Sequence, residues 1–229
     1  MRFRLYLMLA GGLSALALAA CGGSSSSSST PARSTSAAAT TSSSATTSGA
    51  SSSSNQLSYE GIPIEAGPEI APASTTQTAT VDGIRCGATE QLAYHIHAHL
   101  AVFVSGQLYA LSAGIGIPGS TAQQTSQGPV AAGGQCIYWL HTHTSDGVIH
   151  IESPTQRVYT LGNFFDEWHQ PLTASQVGTV HGKITAFIDG HAWKKPLRTI
   201  PLLPHALIQL TIGQPALPQL TVNWSQTGL

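Results

Sequence analysis

The chain has 229 residues, and 9 Lys+Arg against 10 Asp+Glu give a formal net charge of −1 with histidine neutral. Charged residues make up only 8% of it, against about 25% in an average soluble protein, and no basic patch of the kind that binds nucleic acid is present. Ten histidines, all after Glu90, supply much of the polar chemistry instead.

Residues 1–20 have the form of an export signal. Arg2 and Arg4 are followed by an apolar run from Leu5 to Ala20, the order of a secretory leader. The small residues of Leu18-Ala19-Ala20-Cys21-Gly22 resemble a bacterial lipoprotein cleavage site. That resemblance implies a lipidated Cys21, with membrane lipid as partner and the cell envelope as location. No later segment reaches the ~20 apolar residues that span a bilayer. Residues 21–55 are dominated by Ser, Thr, Ala and Gly, with Arg33 the lone charge and no aromatic residue. Such a segment cannot bury enough apolar surface to offset its ordering entropy, so it is expected to be a flexible tether. Residues 56–229 then form a single domain, long enough for a sizeable core.

Within the domain, the Pro- and Gly-rich stretch Leu57 to Ala79 is expected to run extended over the surface. Tyr94-His95-Ile96-His97-Ala98-His99-Leu100 follows, with an imidazole at every second residue. Strand side chains alternate faces, so the three imidazoles share one face, while Ile96, Ala98, Leu100, Val102 and Val104 form the buried one. Ser105-Gly106 turns the chain into Gln107 to Leu111. Ala113 to Gly134 is Gly-, Ser- and Gln-rich and is expected to be a loop, with Ile115–Ile117 a candidate short strand. Ile137 to His143 and Val148 to Glu152 are expected to form a hairpin about Asp146-Gly147.

Tyr159 to Trp168 is expected to be a short helix with Thr160 as N-cap. It would pack Leu161, Phe164, Phe165 and Trp168 on the sheet, with Asp166 and Glu167 in solvent. Lys183 to Asp189 is a strand ending at the hairpin signal Asp189-Gly190, and Ala206 to Ile212 is the last strand. This order predicts an α+β fold, a mainly antiparallel sheet with one short helix packed on it; a β-grasp-like arrangement is one candidate.

Cys86 and Cys136 precede the two histidine segments. In an exported chain a disulfide is the default, and it would tie the two segments together at their starts. The alternative makes one thiolate a soft metal ligand.

The second histidine segment, His141-Thr142-His143 with His150-Ile151-Glu152, carries the chemistry. Counting back from a two-residue turn at Asp146-Gly147 places His143 opposite His150 and His141 opposite Glu152, with all four side chains on one face. An odd loop would scatter them. Neutral imidazoles clustered with a carboxylate are transition-metal ligands. The candidate metal ligands are therefore His97, His99, His141, His143, His150 and Glu152, with His95 an outer member. His169 is expected to cap the helix end, and His181, His191 and His205 stand alone in turns. A solvent-facing cluster that responds to acid is the alternative. Met1 and Met8 are the only methionines, so the domain offers no thioether ligand. A site built on histidine suits copper or zinc, copper having the edge in affinity.

The run Cys136…Trp139-Leu140-His141-Thr142-His143…Asp146-Gly147-Val148-Ile149-His150-Ile151-Glu152-Ser153-Pro154, then Thr160-Leu161-Gly162-Asn163-Phe164-Phe165-Asp166-Glu167-Trp168, resembles a family of uncharacterised exported or membrane-anchored prokaryotic proteins. That family also carries the strand found here at His95 to Leu100. The resemblance spans Tyr94 to Gly213 and implies that these positions belong together; it brings no activity with it. The pairing of a His-x-His strand with a later Glu and His is similar to cupins as well. The Glu that cupins place a few residues after His143 is missing here, unless Asp146 replaces it, and the Gly/Pro framing differs. A metal-storing or metal-delivering lipoprotein accounts for these features together. A metal-dependent enzyme, hydrolase or oxygenase-like, would use a three-histidine site with Glu152 as general base. No Ser or Cys nucleophile motif is present. A non-metal interaction module is the third option.

Overall fold

The structure, a computed structural model, describes residues 53–73, 76–215 and 217–229. The expected signal segment, Cys21 and the expected tether up to residue 52 lie outside the described residues. A strand opens at Ser53, in the last residues assigned to the tether: Ser53–Leu57 pairs antiparallel with Pro63–Glu65. No helix among the described residues is long and apolar enough to cross a membrane.

The main sheet has seven strands: β1 (Tyr94–Val104), β2 (Gln107–Tyr109), β3 (Leu140–His141), β4 (Val148–Ser153), β5 (Ile184–Ile188), β6 (His191–Trp193) and β7 (Leu207–Ile212). Their order is β6-β5-β7-β1-β4-β3, with β2 also paired to β1. All pairings are antiparallel except β7 with β1 at the centre. Two hairpins follow from local chemistry. Ser105-Gly106 and Asp189-Gly190 each hold two consecutive positive φ angles, 48° and 86° in one, 49° and 78° in the other. That is the type I′ turn whose twist matches its flanking strands.

The chain has one α-helix among the described residues, α1 (Leu161–Trp168). The Thr160 Oγ1 accepts from the Asn163 N–H, and Asn163 Oδ1 accepts from the Thr160 N–H. This capping box defines the N-terminus. His169 ends the helix in the left-handed conformation at φ 58°, and its contribution is the backbone cap. Leu161, Phe164, Phe165 and Trp168 are buried with Ala98, Leu100, Val102, Leu140, Ile149 and Ile151 of the sheet in one core cluster. The structure is thus α+β, with one short helix and a mainly antiparallel sheet.

Three local expectations are corrected. Glu167 is buried, not solvated: its Oε2 accepts from the Leu140 N–H at 3.2 Å. Asp166, beside it, pairs with Arg198. The lead-in contributes Ile62, Ile70 and Ala71 to the interior, and Pro72 O accepts from the buried Trp168 indole. Ile115–Ile117 is a buried turn, whose Ile115 carbonyl accepts from the Thr142 N–H.

Cys86 and Cys136 form a disulfide with a Cα–Cα distance of 5.4 Å, so neither is a thiolate ligand. Gly87 and Ile137 exchange two backbone hydrogen bonds beside it. The bridge joins the loop before β1 to the approach to β3, as its sequence position suggested.

Candidate metal centre

The histidine face is built from β1, β4 and β3. His97 lies opposite His150, which lies opposite His141 on its other side, and His95 lies opposite Glu152. Directly opposed residues share a face, so three imidazoles form a row across three strands. This differs from the expected hairpin by two residues: His141, not His143, faces His150. The shift is even, so the shared face is kept. It arises because the chain leaves β4 after His141. Thr142 exchanges backbone hydrogen bonds with Gly114 and Ile115, and the His143 carbonyl accepts from Ala131. His143 then reaches the cluster from a loop.

His141 and His143 are fixed in orientation by carbonyl groups. His141 Nδ1 lies 2.9 Å from the Tyr138 carbonyl, and His143 Nδ1 lies 2.8 Å from that of Ala131. A carbonyl can only accept, so each Nδ1 carries a proton. In the neutral rings both Nε2 atoms then bear lone pairs, and they face each other at 3.2 Å. Two lone pairs at that distance repel unless a proton or a metal ion lies between them. Nitrogen ligands about 2.0–2.1 Å from a tetrahedral ion stand about 3.3 Å apart. Carbonyls that fix the far ring nitrogen are the usual support of metal-binding histidine.

A second group lies across His150. His95 Nε2 and His97 Nε2 are 2.9 Å apart, and Glu152 Oε1 lies 3.1 Å from His95 Nε2 and 3.3 Å from His150 Nδ1. His150 Nε2 is engaged by Glu60 Oε1 at 3.1 Å. Three triads have ligand atoms close enough to hold one ion: His95, His97 and His150; His141, His143 and His150; and Glu90, His141 and Glu152. The floor of the cluster is buried, while the His95 and Glu90 side chains keep 39% and 35% exposure. These two form the entrance.

Electrostatics prepare these groups as ligands. Burial first, then the neighbouring imidazoles of His150 and His95, lower His97 to about 3. Burial and the rings of His150 and His143 hold His141 well below the ordinary value. Both are neutral at pH 7 with lone pairs available. Burial acts the same way on His150, but the Glu152 and Glu60 carboxylates outweigh it and raise His150 to about 9. In the ion-free site His150 therefore carries the positive charge that these two carboxylates face, and it must lose a proton to ligate.

Of the residues expected as ligands, the structure brings His95, His97, His141, His143, His150 and Glu152 together. It does not bring His99. The His99 Nε2–H donates to the Asp146 carbonyl at 2.9 Å, with Glu65 Oε1 at 3.9 Å. Burial lowers its pKa to about 4. His205 gives its backbone N–H to the His97 carbonyl and stacks its ring on Trp224. Asp146 is more than a turn residue: its carboxylate is buried, accepting from the Ser58 hydroxyl and the Val148 N–H. Glu60 and Glu90 are additions that no sequence pattern marked. Their signal was scarcity: the chain has ten acidic residues, so each carboxylate is a candidate partner for the histidines.

Comparison with known protein families, curated proteins and solved structures finds no match to this chain.

Proposed function

We propose that this protein is a cell-envelope lipoprotein, anchored through Cys21, whose histidine cluster binds copper or zinc for storage or delivery. The observation that carries the proposal is the pair of facing Nε2 atoms of His141 and His143, 3.2 Å apart with both Nδ1 atoms committed to carbonyls. A metal cation between the two Nε2 atoms satisfies that arrangement without charging either ring. The exposed entrance at His95 and Glu90 suits exchange of the ion. A carrier fits better than a hydrolase because Glu152 lies against the ligands His95 and His141, at 3.1 and 3.9 Å. A general base would stand free to reach a water.

The test is elemental analysis of the chain purified without a histidine tag, loaded with Cu(II) or Zn(II) and dialysed. Retained metal is expected in the wild type and in His99→Ala, and less in the double variant His141→Ala/His143→Ala. A wild type free of metal under both loadings overturns the proposal. Mass spectrometry of protein extracted from membranes tests the anchor: a diacylglyceryl adduct on Cys21 is expected, and an unmodified chain refutes it.

A further inference from the structure

The carboxylate of Glu152 faces two groups of ligands at once. Its Oε1 lies 3.1 Å from His95 Nε2 and 3.3 Å from His150 Nδ1, and His95 Nε2 is 2.9 Å from His97 Nε2. Its Oε2 lies 3.9 Å from His141 Nε2, which is 3.2 Å from His143 Nε2, which in turn is 3.3 Å from Glu90 Oε1. We infer that the cluster holds two metal ions, bridged by Glu152. This rests on the metal-binding proposal above and extends it to the number of ions and the ligands of each.

Three observations support two centres over one. The first is donor count. One group offers three imidazole nitrogens and a carboxylate oxygen, the other two of each, and four ligands complete a shell for zinc. Eight donor atoms exceed what one such ion takes. The second is spacing. Two donors about 2.1 Å from a shared ion are at most about 4.2 Å apart, and every distance quoted within each group meets that limit. The third is the position of His150. Its ring stands edge-on to His97 at 4.6 Å and stacks on His141 at 5.3 Å, 10° from parallel. It therefore separates the two histidine pairs.

Two of the buried atoms without a hydrogen-bond partner fall where the ions would be. Glu152 Oε2 and His150 Nδ1 are buried without a hydrogen-bond partner. His150 Nδ1 faces Glu152 Oε1 at 3.3 Å, a contact that a shared ion would replace. Buried polar atoms normally have partners, and here one orphan belongs to each group. With His150 Nε2 held by Glu60, only Nδ1 remains to ligate, so His150 serves the His95–His97 ion and the bridge falls to Glu152. Carboxylate-rich two-metal sites place their ions about 3.5–4 Å apart.

Cu(II) titration of the tag-free full chain tests this by metal content and electron paramagnetic resonance together. The wild type is expected to retain two copper ions per chain after dialysis, with a signal weaker than its copper content because the paired spins couple. His95→Ala/His97→Ala and His141→Ala/His143→Ala are each expected to retain one ion, with full isolated Cu(II) intensity. A wild type that holds one ion with a full uncoupled signal overturns the two-metal inference and leaves metal binding standing. A wild type that holds none overturns both. The wild-type count decides the matter even if a double variant does not fold.

Discussion

Removing the disulfide gives a prediction whose size follows from chain topology. Cys86 and Cys136 are 50 residues apart in sequence. Releasing a loop of that length returns about 14 cal/mol/K of entropy to the unfolded chain, or about 4 kcal/mol at 25 °C. For a domain of this size each kcal/mol is worth about 2–4 °C, so Cys86→Ser/Cys136→Ser should lower the melting temperature by about 8–16 °C. The effect should extend to the site. Glu90 sits four residues beyond Cys86 and His141 five beyond Cys136, and the Glu90–His143 contact spans the two segments that the bridge joins. With the bridge open, the Gly87–Ile137 hydrogen bonds remain as the backbone link between the two segments. Thermal unfolding followed by circular dichroism in metal-free buffer provides the stability measurement, and copper titration of the same variant provides the affinity. A melting shift under about 3 °C, with unchanged copper affinity, would refute the view of the disulfide as the clamp on this side of the site.

Other consequences can be checked separately. At Gly116 an added Cβ would lie 2.2 Å from the Leu140 carbonyl oxygen and 3.0 Å from His141 Cα, at a φ of +74°. Backbone atoms cannot yield cheaply, so Gly116→Val should cost about 3 kcal/mol or more by urea denaturation and weaken metal retention at His141. Asp146 is raised from 3.8 to about 6, by burial and then by the charge of Glu60. The folded state holds that proton where the unfolded chain releases it. The stability from this group is therefore complete below pH 4 and is lost as pH rises to about 6, a change of about 3 kcal/mol. Asp146→Asn should remove that slope from urea midpoints measured between pH 4 and 7. His150, protonated in the ion-free site up to about pH 9, must release its Nδ1 proton to ligate. Calorimetry at pH 7.5 in buffers of different ionisation enthalpy should show proton release on metal binding, absent in His150→Ala.

Much of the site is legible in the sequence because β-strand alternation is strict. His95, His97, His150 and Glu152 fall on one face by period alone, and Leu140, Ile149 and Ile151 fall on the other in the core. The register of His141 is not legible. It depends on Thr142 and His143 finding backbone partners at Gly114, Ile115 and Ala131, in a loop with no periodicity to announce it. His99 obeys the alternation yet leaves the cluster, because it lies opposite Val148 and the Asp146 carbonyl captures its ring. Glu60 and Glu90 reach the histidines from non-periodic segments, positioned by the lead-in hairpin and by the disulfide loop. The helix is legible down to its cap, since Thr160 and Asn163 determine it locally. Glu167 reads as a solvent residue because helical spacing does not reveal that the Leu140 N–H needs an acceptor.

Anomalous diffraction at the metal absorption edge, from crystals of the zinc- or copper-loaded protein, tests the central claim most directly. A peak within about 2.0–2.1 Å of both His141 Nε2 and His143 Nε2 is predicted. Peaks confined to outlying histidines such as His181 or His191, with none at His141 and His143, would contradict it.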